Sequence, residues 1–169
     1  QLGYQYATLS LVENRLLVPS RDSLLMFDIV SGERIKEIPL TEDIKEHTVY
    51  HAIESNRDSF FVHHGRLDWY SLSTIQVDWD SNPTVSEIDS EGRVIRVFDN
   101  KQLDCRHLAL DSVGRLLVAD SVQVVLFDER LKYKRILIDK YDPRWVNYDK
   151  NNKRLMIGLS NGQFKIFEY

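Results

Sequence analysis

The chain has 169 residues, enough for one ordinary domain with a sizeable hydrophobic core. Hydrophobic residues make up 43% and charged residues 28%, a balance typical of a soluble globular protein and unlike that of a disordered chain. The net charge of −4 argues against wholesale nucleic-acid binding, which depends on neutralising phosphates. A single cysteine, Cys105, excludes an internal disulfide and a cysteine-based zinc cluster.

The sequence gives little sign of a membrane span or a targeting segment. No apolar run approaches the roughly 18 residues of a membrane span, and the N-terminus lacks a basic-then-apolar signal segment. Asn82 is followed by Pro83, so it is not an N-x-S/T acceptor. We therefore expect no membrane association and favour a cytoplasmic location. The first residue is Gln1 and not Met, which predicts a processed or truncated chain.

Taken in chain order, the predicted elements are short strands. The first set lies in LSLVENRLLVPSRDSLLMFDIVSGERIKEI (9–38). The next segment, TEDIKEHTVYHAI (41–53), is the best helix candidate, but its β-branched tail argues against a helix. A second set, AIESNRDSFFVHH (52–64) and PTVSEIDSEGRVIRVFD (83–99), is split by an insertion at 65–82. Two further sets follow, LALDSVGRLLVADSVQVVLFDERLKYKRIL (108–137) and VNYDKNNKRLMIGLSNGQFKIFEY (146–169).

These segments repeat one pattern about every 40 residues. Each holds short runs rich in branched and aromatic residues, separated by turn signals such as SG, SEG, DKNN and SNG. Four strands per repeat is typical of a β-propeller blade, whereas a β-sandwich needs no regular unit. The sequence therefore predicts an all-β fold of four-stranded antiparallel blades. The approximate blades are 1–40, 41–100, 101–141 and 142–169, the last lacking its outer strand.

The blades resemble the NHL-repeat family of β-propellers, as found in tripartite-motif-like proteins. The resemblance lies in RHLALDSVGRLLVADSVQVVLFDERL (106–131), PRWVNYDKNNKRLMIGLSNGQFKIFEY (143–169) and, in stretched form, VYHAIES…FFVHHG…VSEIDSEGRVIRVFD. WD40 propellers rank second, because the third strands lack a Trp-Asp ending. The family usually has six blades, so about four blades imply a portion of a larger propeller. A ring closed by four blades and a ring completed by other chains are the alternatives.

A binding site is expected on one rim of the blades. In a four-stranded meander, the loops leading into the first and third strands lie on the same side, and loops on a rigid scaffold commonly carry function. The residues expected on this rim, before first strands and then before third strands, are Tyr50–His51, Arg106–His107, Arg144–Trp145, Arg21–Asp22, 65–82, Asp120–Ser121 and Ser160–Asn161.

Two features of this rim predict partner contacts. Arg106 and Arg144 occupy equivalent repeat positions and could together bind a carboxylate or phosphate. The alternative is that each arginine forms a hydrogen bond with a carbonyl or an aspartate of the adjacent blade. The insertion 65–82 carries aromatic residues typical of interface hot spots, unless they pack on their own hairpin. The candidate partner-binding residues are Arg106, His107, Arg144, Trp145, His51, Trp69, Tyr70 and Trp79.

Catalytic and metal motifs give weaker signals. His63 and His64 point to opposite faces of a strand, so at most one can join His51. DWDSN (78–82) lacks the glycine and glutamate of a calcium loop, and phosphate-loop and hydrolase motifs are absent from the sequence. We expect no cofactor, no metal and no catalytic residues.

The leading functional hypothesis is a non-catalytic scaffold that presents a loop-rich propeller face to a protein partner, as the family resemblance implies. RNA binding, also known in that family, is disfavoured by the net charge. A subunit that completes its propeller with another chain, including a homo-oligomer, and a metal-dependent propeller hydrolase or lyase remain the alternatives.

Overall fold

The structure, a computed structural model, describes residues 10–12, 14–20, 22–45, 48–55, 58–65, 84–98, 105–128 and 133–168. The chain forms two compact units, Gln1–Lys101 and Gln102–Tyr169, called here unit 1 and unit 2.

The described residues of unit 1 form two four-stranded antiparallel sheets and one short helix. Sheet 1 has the order β1-β2-β3-β4, and sheet 2 the order β5-β6-β7-β8. Helix α1 (Glu42–Lys45) lies between them in the chain. The strands are β1 (Ser10–Val12), β2 (Arg15–Pro19), β3 (Ser23–Asp28), β4 (Arg34–Pro39), β5 (Thr48–Glu54), β6 (Ser59–Gly65), β7 (Thr84–Asp89) and β8 (Val94–Phe98).

In unit 2, the part of the chain that the structure describes forms one four-stranded and one three-stranded antiparallel sheet. Sheet 3 has the order β9-β10-β11-β12, and sheet 4 the order β13-β14-β15. The strands are β9 (His107–Leu110), β10 (Leu116–Ala119), β11 (Gln123–Phe127), β12 (Tyr133–Asp139), β13 (Pro143–Asp149), β14 (Arg154–Leu159) and β15 (Phe164–Glu168). The predicted all-β class is confirmed.

The segment at 41–53 forms both a helical turn and a strand. Its first residues make α1, where the Ile44 amide donates to the Thr41 carbonyl at 2.9 Å and the Ile44 side chain is buried. The β-branched tail lies in β5, as its composition predicts. The helix therefore lasts about one turn, long enough to place Ile44 in the core of unit 1.

Two tight turns share the sequence Asp-Ser-x-Gly-Arg, and they fold alike. In the first, the Asp89 carboxylate accepts from the backbone and the guanidinium of Arg93. In the second, the Asp111 carboxylate accepts from the backbone and guanidinium of Arg115 in the same way. The glycine takes a positive φ in both turns, +82° at Gly92 and +81° at residue 114. In each turn the aspartate accepts from the backbone amides of the three residues that end the motif, which joins one strand to the next.

Each unit has its own hydrophobic core between its two sheets. Strand alternation supplies these residues, because every second side chain of an inner strand faces the neighbouring sheet. In unit 1 the core is Leu17, Leu24, Met26, Ile38, Leu40, Ile44, Val49, Ala52, Phe60, Val62 and Ile88. In unit 2 it is Ala109, Leu117, Ala119, Val124, Leu126, Ile138, Val146, Tyr148, Leu155, Ile157 and Leu159.

Candidate functional site

Four of the predicted partner-binding residues lie together at one end of unit 2. Arg106 and His107 stand where β9 begins, and Arg144 and Trp145 lie at the start of β13. The Arg106 amide donates to the Ala119 carbonyl at 2.8 Å, which anchors the entry to β9. With Asp142, which joins them, these residues are called here the rim cluster.

The Asp142 carboxylate lies within ion-pair distance of both arginines of the rim cluster. Arg106 Nη1 donates to Asp142 Oδ1 at 2.6 Å, whereas Arg144 Nε stands 3.6 Å from the same oxygen. The pKa of Asp142 is lowered mainly by a hydrogen bond from the Ser160 side chain, opposed by desolvation and assisted by Arg106 and Arg144. The carboxylate therefore stays ionised near neutral pH and neutralises part of the basic pair.

The two arginines consequently differ in whether their guanidinium groups are available to donate hydrogen bonds to a ligand. The Arg106 side chain is 20% exposed and its guanidinium is engaged by Asp142 of the neighbouring sheet, the alternative considered from the sequence. The Arg144 side chain is 54% exposed, and 3.6 Å is too long for a direct hydrogen bond. Arg144 is therefore the arginine of the pair that presents donors to solvent.

Aromatic rings continue the rim cluster across sheet 4. Trp145 lies 6.1 Å from His107 and 6.1 Å from Phe164, measured between ring centroids, and the Phe164 contact is edge-on. Gly158 lies between Trp145 and Phe164 in strand register. A Cβ built there would lie 3.4 Å from the Phe164 ring and 3.5 Å from the Trp145 Cβ. The glycine thus allows two aromatic rings of non-adjacent strands to meet.

His107 is a partly buried, polar member of the rim cluster. Burial lowers its pKa from 6.5 to about 4, although hydrogen bonds to the backbone of Val146 and Leu108 act in the opposite direction. The imidazole is therefore neutral at physiological pH. The imidazole packs against the Trp145 ring. Because it is neutral, it does not offer a positive charge to a ligand.

His51 lies elsewhere, inside sheet 2 of unit 1. It is buried in β5, directly opposite His63 of β6. On the other face of β6, His64 Nε2 and Ser86 Oγ are 2.8 Å apart and share a hydrogen bond. The expected alternation of His63 and His64 therefore holds. His51 is within the sheet and not among the surface residues that a partner would touch.

The remaining candidates, Trp69, Tyr70 and Trp79, lie outside the described residues with most of the insertion at 65–82. So do Arg21, Arg66 and Lys101, the basic residues that an RNA-binding rim would also need. In the part of the chain that the structure describes, histidine, cysteine, aspartate and glutamate form no group of three or more able to hold a metal ion. None of the helices described there is long and apolar enough to cross a membrane.

Sequence reasoning did not single out Asp142 or Phe164. Asp142 takes a left-handed backbone, φ +47°, and its own carbonyl accepts from the Ser160 amide at 3.2 Å. The available signal was its place two residues before Arg144, directly before a proline that starts a strand. Phe164 could have been found by aligning it with Gly158 and Trp145 across the sheet.

Comparison with known protein families finds no match, and comparison with curated proteins finds none either. Solved structures do match. Raptor of Chaetomium thermophilum matches with a TM-score of 0.63 and 15% identity, over 95% of this chain and 15% of that one. BamB of Moraxella catarrhalis matches with a TM-score of 0.57 and 16% identity, over 96% of this chain and 43% of that one. The Pan2 WD40 domain of Neurospora crassa gives 0.57 and 13%, over 96% and 48%.

A designed protein of similar extent also matches. The computationally designed Ika4 protein gives a TM-score of 0.56 and 14% identity, over 99% of this chain and 94% of that one. At these identities the likeness shows the fold alone, and the predicted β-propeller fold is confirmed. The chain spans less than half the length of the BamB, Raptor and Pan2 chains.

Proposed function

We propose that this chain is a non-catalytic scaffold module that binds a protein partner through the rim cluster. β-Propellers of the kind it resembles are, in general, protein-interaction modules. The observation that carries the proposal is that the exposed Arg144 directly precedes Trp145 in β13 and that Trp145 contacts Phe164, which is 72% exposed. Arginine and aromatic side chains are the residues most enriched in interface hot spots.

The surroundings of Arg144 favour a partner group that accepts hydrogen bonds. Its guanidinium has five donors, and Asp142 approaches it only at ion-pair distance. Nearby, Lys165 Nζ lies 3.4 Å from the centroid of the Tyr141 ring, which adds a cation at the same sheet. A partner carboxylate or backbone carbonyl beside an apolar side chain would fit this surface.

A protein partner is favoured over RNA by the same geometry. RNA binding of the family type needs arginines clustered without compensating carboxylates. Asp142 compensates Arg106 at 2.6 Å and is also close to Arg144. The net charge of −4 acts in the same direction.

We further propose the NHL subtype among β-propellers. Its support is the repeat resemblance in 106–131 and 143–169. In the structure these ranges include the Asp111 turn and the strand order β13-β14-β15. WD40 propellers, one of which is among the matching structures, are the competing subtype.

The proposal can be tested by photo-crosslinking in cells. Phe164 is replaced by a benzophenone amino acid, which keeps an aromatic ring at the exposed position. We expect a covalent protein adduct that is lost when Arg144→Glu is added. Lys150→Glu is the matched control, because it makes the same charge change at an exposed turn at the opposite end of β13. The control should keep the adduct.

Three results would contradict the proposal. One is the absence of any protein adduct at position 164. Another is an adduct lost equally in both charge variants, which would point to net charge and not to the rim cluster. The third is RNA in the adduct, which would favour the RNA-binding alternative. Circular dichroism of each variant establishes that it is folded.

A further inference from the structure

The two units carry opposite net charges, although the whole chain is acidic. Unit 1 has 17 aspartate and glutamate residues against 10 lysine and arginine residues. Unit 2 has 9 acidic residues against 12 basic ones. The net charge of −4 therefore conceals a basic unit 2, which contains the rim cluster.

Burial increases the share of positive charge at the surface of unit 2. Two of its carboxylates, Asp111 and Asp120, are buried, and they accept hydrogen bonds from the side chains of Arg115 and Gln123. Among the side chains that the structure describes in unit 2, exposed basic residues outnumber exposed acidic ones. The exposed basic residues are Lys140, Arg144, Lys150, Lys153 and Arg154, and the exposed acidic residues are Asp139 and Glu168. The partly exposed charges balance, with Arg106, Arg115 and Lys165 against Asp128, Asp142 and Asp149.

Three basic residues lie in or beside the loop that joins β12 to β13. Lys140 lies in the loop with a φ of +68°, and its side chain is exposed. Arg144 follows the loop in β13 and is 54% exposed at its side chain. Lys165 Nζ lies 3.4 Å from the ring centroid of Tyr141, the next residue of the loop, which is 45% exposed. Lys140, Tyr141, Arg144 and Lys165 are called here the basic patch.

The carboxylates beside the basic patch leave part of its charge unbalanced. Asp139 directly precedes Lys140 and is exposed. Asp142 accepts a hydrogen bond from Arg106, which lies outside the patch, and stands 3.6 Å from the Arg144 guanidinium. Because Asp142 shares its charge between two arginines, the three cations of the patch exceed the carboxylate charge available to them. An unbalanced positive surface attracts an acidic ligand.

A second group of exposed basic residues lies at the turn between β13 and β14. It consists of Lys150, Lys153 and Arg154. Glu168 of β15 lies opposite Arg154 in strand register, and Asp149 begins the turn. The turn has no aromatic residue that would add contact area beside the charges. It therefore serves as the matched control for the basic patch.

We propose that the basic patch binds an acidic segment of a protein partner, whose aspartate or glutamate carboxylates pair with Lys140, Arg144 and Lys165. This inference rests on the proposed protein-binding function and specifies the charge of the partner. The Arg144 guanidinium offers a carboxylate two parallel donors, and the two ammonium groups add attraction with less directional preference. A short acidic segment needs only this local excess of positive charge. A nucleic acid, charged at every phosphate, is opposed by the net charge of −4.

The probe is a phage-displayed library of random short peptides, selected on the immobilised full-length chain at physiological salt. We expect the enriched peptides to contain more acidic than basic residues. An enriched peptide, labelled with a fluorophore, is then titrated with the chain in solution. Its affinity should fall roughly threefold or more as NaCl is raised from about 50 to about 300 mM, because salt screens exposed charges. Enrichment of neutral or basic peptides, or of none, would overturn the proposal.

Matched charge variants test the location. Arg144→Glu should weaken binding of the enriched peptide by roughly tenfold or more, and the milder Lys140→Gln by roughly threefold. Lys150→Glu makes the same charge change as Arg144→Glu at the β13–β14 turn, and its affinity should stay within roughly twofold of that of the unmodified chain. Circular dichroism establishes that each variant is folded. Equal weakening in Arg144→Glu and Lys150→Glu would show that only net charge matters, and the proposal would be wrong.

Two further measurements address other ligands of the same charge. If a uridine oligonucleotide binds more tightly than the enriched peptide and depends on Arg144, the basic patch is an RNA site and the proposal is rejected. If light scattering shows self-association that Arg144→Glu abolishes, the acidic ligand is a second copy of this chain, and the proposal is likewise rejected. Failure of the acidic selection, with the Arg144-dependent protein adduct at position 164 retained, would reject the acidic partner and leave the proposed function standing.

Discussion

At the scale of single residues, Gly92 is a position where both the backbone conformation and the surrounding space disfavour any side chain. It has φ +82°, and a Cβ built on it would lie 1.6 Å from the carbonyl oxygen of Pro39, at the end of β4. Gly32 occupies the equivalent turn of sheet 1 with φ +74°, yet nothing lies within 4 Å of its Cβ position. Comparing substitutions at the two glycines therefore distinguishes the cost of a strained backbone conformation from the cost of a steric clash.

We expect Gly32→Ala to lower the free energy of unfolding by about 1 kcal/mol, the cost of a left-handed residue with a side chain. Gly92→Ala should lose about 1–3 kcal/mol more, because the backbone of Pro39 must move. Urea denaturation of the two variants measures the difference. Equal losses would show that the contact with Pro39 relaxes without cost.

At the scale of elements, the two Asp-Ser-x-Gly-Arg turns differ in burial and in the variable residue, which is Glu91 in the first, where it also pairs with Arg93, and Val113 in the second. The side chain of Asp111 is fully buried, whereas that of Asp89 is partly exposed. A buried carboxylate that loses its charge leaves the facing guanidinium poorly compensated, and water cannot replace the lost interaction. We therefore expect the aspartate–arginine pair to contribute more to the free energy of unfolding in the buried turn than in the exposed turn.

We expect Asp111→Asn to lower the free energy of unfolding by about 2–4 kcal/mol. Asp89→Asn should cause a clearly smaller loss, because solvent screens the exposed pair. Chemical denaturation with both variants checks the order. If the two losses are equal, the backbone caps and not the ion pairs carry the stability of these turns.

Strands and turns could be predicted from the sequence because their causes are local. Short runs of branched and aromatic residues predicted β6, β11 and β14, and the turn signals SG, SEG, DKNN and SNG predicted the turns. The helical turn of α1 was not predicted, since it is too short to show a helical period. An aspartate of the adjacent blade was considered as a partner of Arg106, but Asp142 was not identified, because the contact joins residues 36 apart in the chain. Neither strand pattern nor motif spacing contains that contact.

At the scale of the whole molecule, repetition predicted the propeller fold, but it could not rank the residues of the rim. His51 and His107 occupy corresponding places near the start of first strands, yet His51 is paired with His63 within sheet 2 and His107 packs on Trp145. Arg106 and Arg144 are also equivalent in the repeat, and one carboxylate makes them unequal. Specific chemistry in this fold arises where equivalent positions receive different neighbours.

The pH dependence of stability follows from such a difference. His107 has a folded pKa of about 4, whereas an unfolded histidine titrates near 6.5. Between these values the unfolded state binds more protons, so the free energy of unfolding falls as the pH is lowered through this window. The fall attributable to His107 reaches up to roughly 3 kcal/mol near pH 4. Below about pH 3.8 the aspartates with lowered pKa, Asp28, Asp89, Asp142 and Asp149, lose their contribution as well.

NMR titration of the His107 ring should therefore show no protonation until the pH approaches 4 in the folded protein. His107→Phe keeps an aromatic ring beside Trp145 and removes the titrating group. Its urea midpoint should depend less on pH between 7.5 and 5 than that of the unmodified chain, even if its absolute stability is lower. A ring that titrates near 6.5, or an unchanged pH slope in the variant, would show that His107 is not held neutral by burial against β13.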